Sequence, residues 1–335
     1  MKILITGAGG FLGCAVVRRL LEDGYRDFRC LVRDPSKQGK LRAIGAEFPD
    51  ARMEIVRGNL NSPADAQRAA DGIDTIFHLA SAMKGSAADM VLNSVVASRN
   101  LLDAAAGRRP LRIVLVSSFG VYGVGGLGRG ALVNEDTPLE PRPAQRDPYS
   151  FTKLRQELLF HEYARERGFE LVVLRPGVIY GPGGGHISAR VGLNLFGLFL
   201  HLGRGNRLPI TYVENCAAAI VVAGLAPDSA GKVFNVHDDD LPTCRQYLRQ
   251  YKRQVRKMRS IPVPYPMLML LSRAVAWYHR RSRGQLPAIF TPYKTASTWG
   301  GNRFDNSRLK AAGWRQTVPT QEALARTFAA FRAAL

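Results

Sequence analysis

A tyrosine and a lysine stand four residues apart in Tyr149-Ser-Phe-Thr-Lys153. Asp147 suits a helix N-cap and Pro148 a first helical position. The segment is therefore predicted to be helical, with the two side chains adjacent on one face. Their types explain each other. A phenol has a pKa of about 10, too high for efficient proton transfer near neutrality, and a neighbouring ammonium stabilises the phenolate and lowers that value. Upstream, Arg112-Ile-Val-Leu-Val-Ser-Ser118 reads as an apolar strand ending in two hydroxyls that could hold a substrate oxygen. A lone Tyr-x-x-x-Lys occurs in many helices, so the rest of the chain must supply a reason for this one.

The chain opens Met1-Lys-Ile-Leu-Ile-Thr-Gly-Ala-Gly-Gly-Phe-Leu-Gly13, an apolar run that breaks into glycines before an apolar-periodic segment from Cys14 to Leu21. This predicts strand, tight turn, helix. Leu12 holds the place of the last glycine of the common G-x-G-x-x-G, so the glycines fall three apart at Gly7, Gly10 and Gly13. Such a turn either simply joins strand to helix or brings backbone N–H groups and the positive end of the helix dipole to a pyrophosphate. In the second case Phe11 and Leu12 belong to the same cradle.

Further strands are predicted at Phe28–Val32, Met53–Gly58, Asp74–Ala80 and Arg112–Ser118, separated by helical patterns. Five alternations of strand and helix predict an α/β fold, a Rossmann-type, doubly wound parallel sheet. Ligands of such sheets lie beyond the carboxyl ends of the strands, which is where Ser117, Ser118 and the glycines fall. About 20 residues beyond the last glycine comes the position that chooses between dinucleotides. It is Arg33, with Asp34 next and Lys37 nearby. An arginine there favours a 2′-phosphate and hence NADP, with NAD the alternative if Asp34 takes the acceptor's place.

The Thr-Gly-x-x-Gly-Phe-Leu-Gly opening, Ser117-Ser118-x-x-Val-Tyr-Gly, Tyr149-x-x-x-Lys153 and Arg175-Pro-Gly-Val-Ile-Tyr-Gly-Pro182 together resemble the extended short-chain dehydrogenase/reductase superfamily, the epimerase/dehydratase family. The chain is closest in character to its 3β-hydroxysteroid dehydrogenase-like branch. The resemblance implies that Ser118, aligned through Val121-Tyr122-Gly123, orients the substrate oxygen, that Tyr149 is the acid/base, and that Lys153 lowers its pKa and binds the nicotinamide ribose. It implies further cofactor contacts at Asn59 and Leu60, where relatives carry an acid, at Leu79 and Ala80, and at Pro176 and Val178. His78 is expected to pack rather than catalyse. Asn93 and Asn100 are expected either to support a water chain or to be satisfied buried amides. The resemblance is firm to about Pro182 and loose beyond.

Two parts are expected: a nucleotide-binding domain over 1–182 carrying the catalytic set, with later elements returning from 208–240, and a smaller C-terminal α/β substrate lobe over 183–335. In the second part a helix is predicted from Val191 to Leu202, and Asn215 falls in a polar family position. Arg303–Trp314 is read as structural.

Composition narrows the partners. The 335 residues, 46% hydrophobic and 22% charged, are those of a globular protein. No secretory leader is expected before the first strand. Cys14, Cys30, Cys216 and Cys244 form no framework, so reduced thiols and a cytoplasmic location follow. No metal site is expected: the six histidines are scattered, and His237-Asp-Asp-Asp240 reads as a solvated turn.

The net charge is +20, and eleven Lys/Arg with no acid lie between Arg245 and Arg283. No nucleic-acid-binding signature accompanies them. Pro264–Tyr278 is apolar with aromatic ends and too short to span a bilayer. Residues 261–283 are thus either a peripheral membrane contact or a helix roofing an apolar pocket. A homodimer is left open.

The partner expected on these grounds is a small-molecule substrate. Ser118 is followed by Phe119-Gly120 rather than the Asp-Glu of the 4,6-dehydratases, which disfavours dehydration. The leading expectation is an NAD(P)-dependent oxidoreductase interconverting a hydroxyl and a ketone on an apolar, lipid- or sterol-like substrate. The alternative is a nucleotide-sugar epimerase with tightly bound NAD, its diphosphate held by Arg190, Arg204 and Arg207. A non-catalytic redox sensor would dispense with the tyrosine.

Overall fold

The computed structural model describes every residue except 108–110, 186, 196 and 283–289. Seven parallel strands form the central sheet: β1 (Ile3–Thr6), β2 (Asp27–Val32), β3 (Arg52–Arg57), β4 (Thr75–His78), β5 (Arg112–Val116), β6 (Glu170–Pro176) and β7 (Val233–Val236), in the spatial order β7-β6-β5-β4-β1-β2-β3. The chain builds outward from β1 to β3, then crosses back to β4 and builds the other way. β1 and β4 pair directly, Ile3 opposite Thr75 and Thr6 opposite His78.

Successive residues of a strand face opposite sides, and both sides of this sheet are covered. Ile3, Ile5, Val114 and Val172 pack with Val16, Val17 and Leu20 of α1 (Phe11–Glu22) and with Ala217 and Ile220 of a returning helix. Leu4, Ile76, Ile113 and Leu115 pack on the opposite face with Ala66, Leu101, Leu159 and Phe160. The remaining helices are α2 (Gln38–Ala46), α3 (Pro63–Ala70), α4 (Ala87–Val91), α5 (Ala97–Ala105), α6 (Pro148–Arg167), α7 (Val213–Leu225), α8 (Cys244–Gln254), α9 (Tyr265–Arg281), α10 (Pro292–Trp299), α11 (Ser307–Ala311) and α12 (Thr320–Ala333). α7 and β7 thus return to the sheet from the second half of the chain.

Two expectations are corrected. Where the sequence predicts a helix from Val191 to Leu202, Gly192–Leu195 and Leu198–His201 pair as an antiparallel hairpin, with Leu193 opposite Leu200. Gly197 turns it at φ +81°. A side chain at Gly192 would place a Cβ 2.0 Å from the Leu200 carbonyl oxygen, so the close approach needs glycine there. The segment His237–Asp240 is solvated only in its second half, at Asp239 and Asp240. His237 and Asp238 are buried, and Asp238 accepts from Tyr212 N (3.0 Å), Asn215 Nδ2 (3.1 Å) and Tyr180 Oη (3.1 Å). Burial lifts its pKa to about 6 against those hydrogen bonds. Asn215, also buried, accepts from Val318 N (2.9 Å), so this polar knot ties the returning elements to the C-terminal segment.

Candidate active site

The apolar residues of β1 end at the glycine turn, where Gly7 takes φ +71°. A Cβ there would lie 3.0 Å from Ala80 N on the neighbouring β4 loop, and one at Gly13 would meet the Gly7 carbonyl oxygen at 2.1 Å. Glycine therefore lets α1 start hard against β1 and β4. Gly10 caps α1 with extended backbone and no side-chain hydrogen bond. The first N–H groups and the positive dipole end face the open space above the sheet.

That space is a cavity of about 970 Å³. Gly7, Gly10, Phe11, Leu12 and Gly13 line it, as do Arg33, Asn59 and Leu60 from the β2 and β3 ends, Leu79 and Ala80 after β4, and Pro176 and Val178 after β6. Ser118, Tyr149 and Lys153 stand on its wall too. The parallel order explains the convergence, because these residues lie at or beyond the carboxyl end of a strand or in the first two turns of α1 and α6.

α6 carries two of the reactive groups. The Asp147 carboxylate caps it by accepting from Ser150 N (2.9 Å), and Gly168 ends it in the left-handed region. Ser118 Oγ accepts from Gly120 N (3.1 Å), and Ser118 and Tyr149 border the same cavity. Burial raises the Tyr149 pKa and Ser118 works against that rise. Ser117 points the other way, into the protein, where it donates to Glu157.

Lys153 is 3% exposed, and its Nζ donates to Val116 O (2.7 Å) and Gln156 Oε1 (2.7 Å). Burial pulls its pKa down to about 7, with Glu157 opposing. Gln156 Nε2 in turn meets His78 Nε2 (3.1 Å), and His78 Nδ1 meets Thr6 Oγ1 (2.9 Å). Burial, then the Lys153 charge, drives His78 to about 3 and keeps it neutral. His78 is therefore a fixed link between β1, β4 and α6.

Glu157, one turn beyond Lys153, is fully buried and receives Arg175 Nη2 at 2.5 Å. Burial would raise its pKa, but nearby His161, the Arg175 guanidinium and the Ser117 hydroxyl hold it at about 2. The Glu157–Arg175 pair, absent from the sequence reading as a unit, clamps α6 to β6 behind the reactive groups. Its only sequence signal is the four-residue step from Lys153. Arg146 is a second omission: it lines the cavity, reaches Tyr122 O (3.2 Å) and pairs with buried Glu140 (3.1 Å).

At the other end, Arg33 Nη1 donates to Asn93 Oδ1 (2.5 Å), while the Asp34 carboxylate accepts from Ser36 N (3.0 Å). The Ser36 hydrogen bonds lower the pKa of Asp34. Asn59 Oδ1 accepts from Asn61 N (3.1 Å). Asn93 sits in a π turn, Leu92–Val96, that joins α4 to α5, and Asn100 Nδ2 donates to Leu60 O (2.8 Å). Both amides are engaged by protein. Arg190 lines the cavity, whereas Arg207 Nη1 turns away to Leu241 O (2.7 Å) and Arg204 is exposed outside it. No carboxylate of a described residue pairs with Arg190; burial and then the charge of Arg146 lower its pKa to about 10. Among the described residues no group of three or more His, Cys, Asp and Glu could hold a metal; His186 lies outside them.

A doubly wound parallel sheet with a glycine cradle at its switch point defines a dinucleotide-binding protein. Residues 3–236 match the NAD dependent epimerase/dehydratase family, and the chain belongs to it. It is 32% identical over 185 residues to cinnamoyl-CoA reductase 1 of Petunia hybrida, covering 54% of this chain and 55% of that one. The match thus spans about half the length of that reductase. It is 29% identical over 308 residues, 86% of each chain, to 2-alkyl-3-oxoalkanoate reductase of Stenotrophomonas maltophilia. In fold it is similar to UDP-glucuronic acid 4-epimerase of Bacillus cereus, solved with NAD: TM-score 0.74, 20% identity, 99% of this chain and 97% of that one.

Proposed function

We propose that the protein is an NAD(P)-dependent oxidoreductase that interconverts a hydroxyl and a ketone on a substrate with an apolar body and one anionic group. The observation that carries this reading is that Ser118, Tyr149 and Lys153 stand together on the wall of the same cavity as the glycine cradle. The cavity fits a dinucleotide at the uncapped start of α1, where Gly7, Gly10 and Gly13 line it. A nicotinamide dinucleotide bound there supplies or receives the hydride. Ser118 Oγ holds the substrate oxygen, and Tyr149 Oη gives that oxygen its proton in reduction and takes it back in oxidation. The Lys153 ammonium stabilises the phenolate that reduction leaves. Glu157 and Arg175 fix the helix that carries both.

Arg33 and Lys37 favour the 2′-phosphate of NADP, because Asp34, the competing acceptor, is already committed to Ser36. Phe119, Met83 and Trp299 supply apolar wall, and Arg190 supplies an unpaired cation. A relative is named for reducing a 2-alkyl-3-oxoalkanoate, a molecule whose apolar chain and carboxylate would suit this combination. Of the three arginines considered for an epimerase's diphosphate only Arg190 lines the cavity, and Arg146, which lines it as well, is already paired with Glu140.

The test begins with denaturing the purified protein and identifying any nucleotide released. An empty protein that binds NADPH reversibly, and loses that preference over NADH in Arg33→Ala, is expected; stoichiometric NAD would favour the epimerase. On 2-alkyl-3-oxoalkanoates, Tyr149→Phe should cut kcat by at least about 100-fold with NADPH affinity unchanged. Full turnover in that variant would overturn the assignment.

A further inference from the structure

We infer that α9 is an interfacial helix that seats the protein on an anionic lipid surface. The inner side of α9 is closed: Leu268 and Ser272 are 3% and 0% exposed. Leu268 packs with Leu202, Val263 and Trp299, and Ser272 Oγ meets Thr295 Oγ1 of α10 at 2.5 Å. The outer side is apolar as well, and bare. Met267, Leu270, Leu271, Trp277 and Tyr278 are 54%, 67%, 46%, 60% and 48% exposed. At 100° per residue these positions and exposed Ala274 fall on one stripe. Five of the fifteen large apolar side chains exposed among the described residues are on this one helix, and Ile261 (50%) precedes it. Scattered exposed apolar residues need no explanation, but a contiguous stripe does.

The charge around the stripe selects the occupant. Arg273 and Arg280, seven residues apart, lie together along one edge of it, and Arg281 ends the helix; all three are exposed. No carboxylate of a described residue pairs with any of them. Exposed Arg253, Arg256, Lys257 and Arg259 precede the helix, and no acid occurs from Arg245 to Arg281. A second copy of the chain would fit poorly, because a two-fold contact sets each patch against itself and would bring these arginines together. A lipid surface accepts both features. The apolar stripe enters the boundary between headgroups and acyl chains while the arginines meet phosphate. Trp277 and Tyr278 have the amphipathic rings that settle at that depth. No described helix is long and apolar enough to cross a membrane, so the contact lies in the plane.

The seat is close to the site. α9 packs on α10, whose Lys294, Ser297, Thr298 and Trp299 line the main cavity. Lys294 also borders a groove of about 690 Å³ that Met269 of α9 helps to form. A substrate with an apolar body could therefore pass from lipid along α9 to the cavity, a consequence that does not bear on the lipid contact itself.

The experiment is co-sedimentation of the full chain with vesicles of phosphatidylcholine alone and of equal parts phosphatidylcholine and phosphatidylglycerol, at low and high salt. Binding is expected on the anionic vesicles and should weaken with salt. Leu270→Ser with Trp277→Ser should lower the partition at least tenfold, and so should Arg273→Gln with Arg280→Gln. Thermal melting and NADPH binding should be unchanged in both, since every altered residue is exposed and outside the cavity. No binding to anionic vesicles at low salt would overturn the proposal. So would binding that both variants retain, or a dimer that the Leu270→Ser/Trp277→Ser variant dissociates.

Discussion

Lys153 is a lysine kept in a place where its charge is expensive. Its folded pKa of about 7 lies well below the value of about 10.4 for an exposed lysine. The unfolded chain therefore binds a proton that the folded one gives up between those values. The resulting cost is full below pH 7 and fades as pH rises from 7 toward 10.4. Lys153→Met removes it, whatever pH-independent hydrogen bonds it also loses. The difference in Tm between variant and parent, measured without cofactor, should shift in the variant's favour from pH 9 to pH 6. A difference that does not move with pH would show that Lys153 stays charged throughout. Arg190 makes the complementary statement about the substrate. Arg190→Met should raise KM for an oxoalkanoate by about 10- to 100-fold, the worth of a charge-assisted hydrogen bond, with kcat little changed. A loss confined to kcat would remove Arg190 from substrate binding.

At the scale of elements, the site depends on how α6 is held against β6. The buried Glu157–Arg175 pair does this, and such pairs cost most when one partner is removed. Glu157→Ala leaves Arg175 uncompensated and should destabilise the protein by about 3–5 kcal/mol, read as a lower urea midpoint with unchanged slope. An unchanged midpoint would mean that the pair does not anchor the helix.

What the sequence conveyed about elements follows the same division between near and far. Gly7, Gly10 and Gly13, and Tyr149 with Lys153, lie near one another in the chain, so their spacing could be read directly and the family resemblance gave it a role. Glu157 meets Arg175 from another element, and no local pattern announces that. The Gly192–Leu195 and Leu198–His201 hairpin was hidden because its apolar run suits helix and strand alike, and only Gly192 and Gly197 argue for the strand. Asp238 looked solvated in a run of acids, but its partners Tyr180, Tyr212 and Asn215 come from other elements.

The molecule as a whole is cut by the pairing of β1 with β4. Residues up to Leu60 build one side of that line and residues from Thr75 to Val178 build the facing side, and the cavity takes walls from both. A molecule laid across it touches two stretches of chain that fold outward in opposite directions, and so acts as a suture between them. Saturating cofactor should accordingly stabilise the protein against global unfolding by roughly 2.7 kcal/mol at a hundred times Kd. It should also slow amide exchange in both the glycine turn and the Pro176–Val178 turn. Protection gained on one side alone would mean that the ligand leaves the seam unstitched.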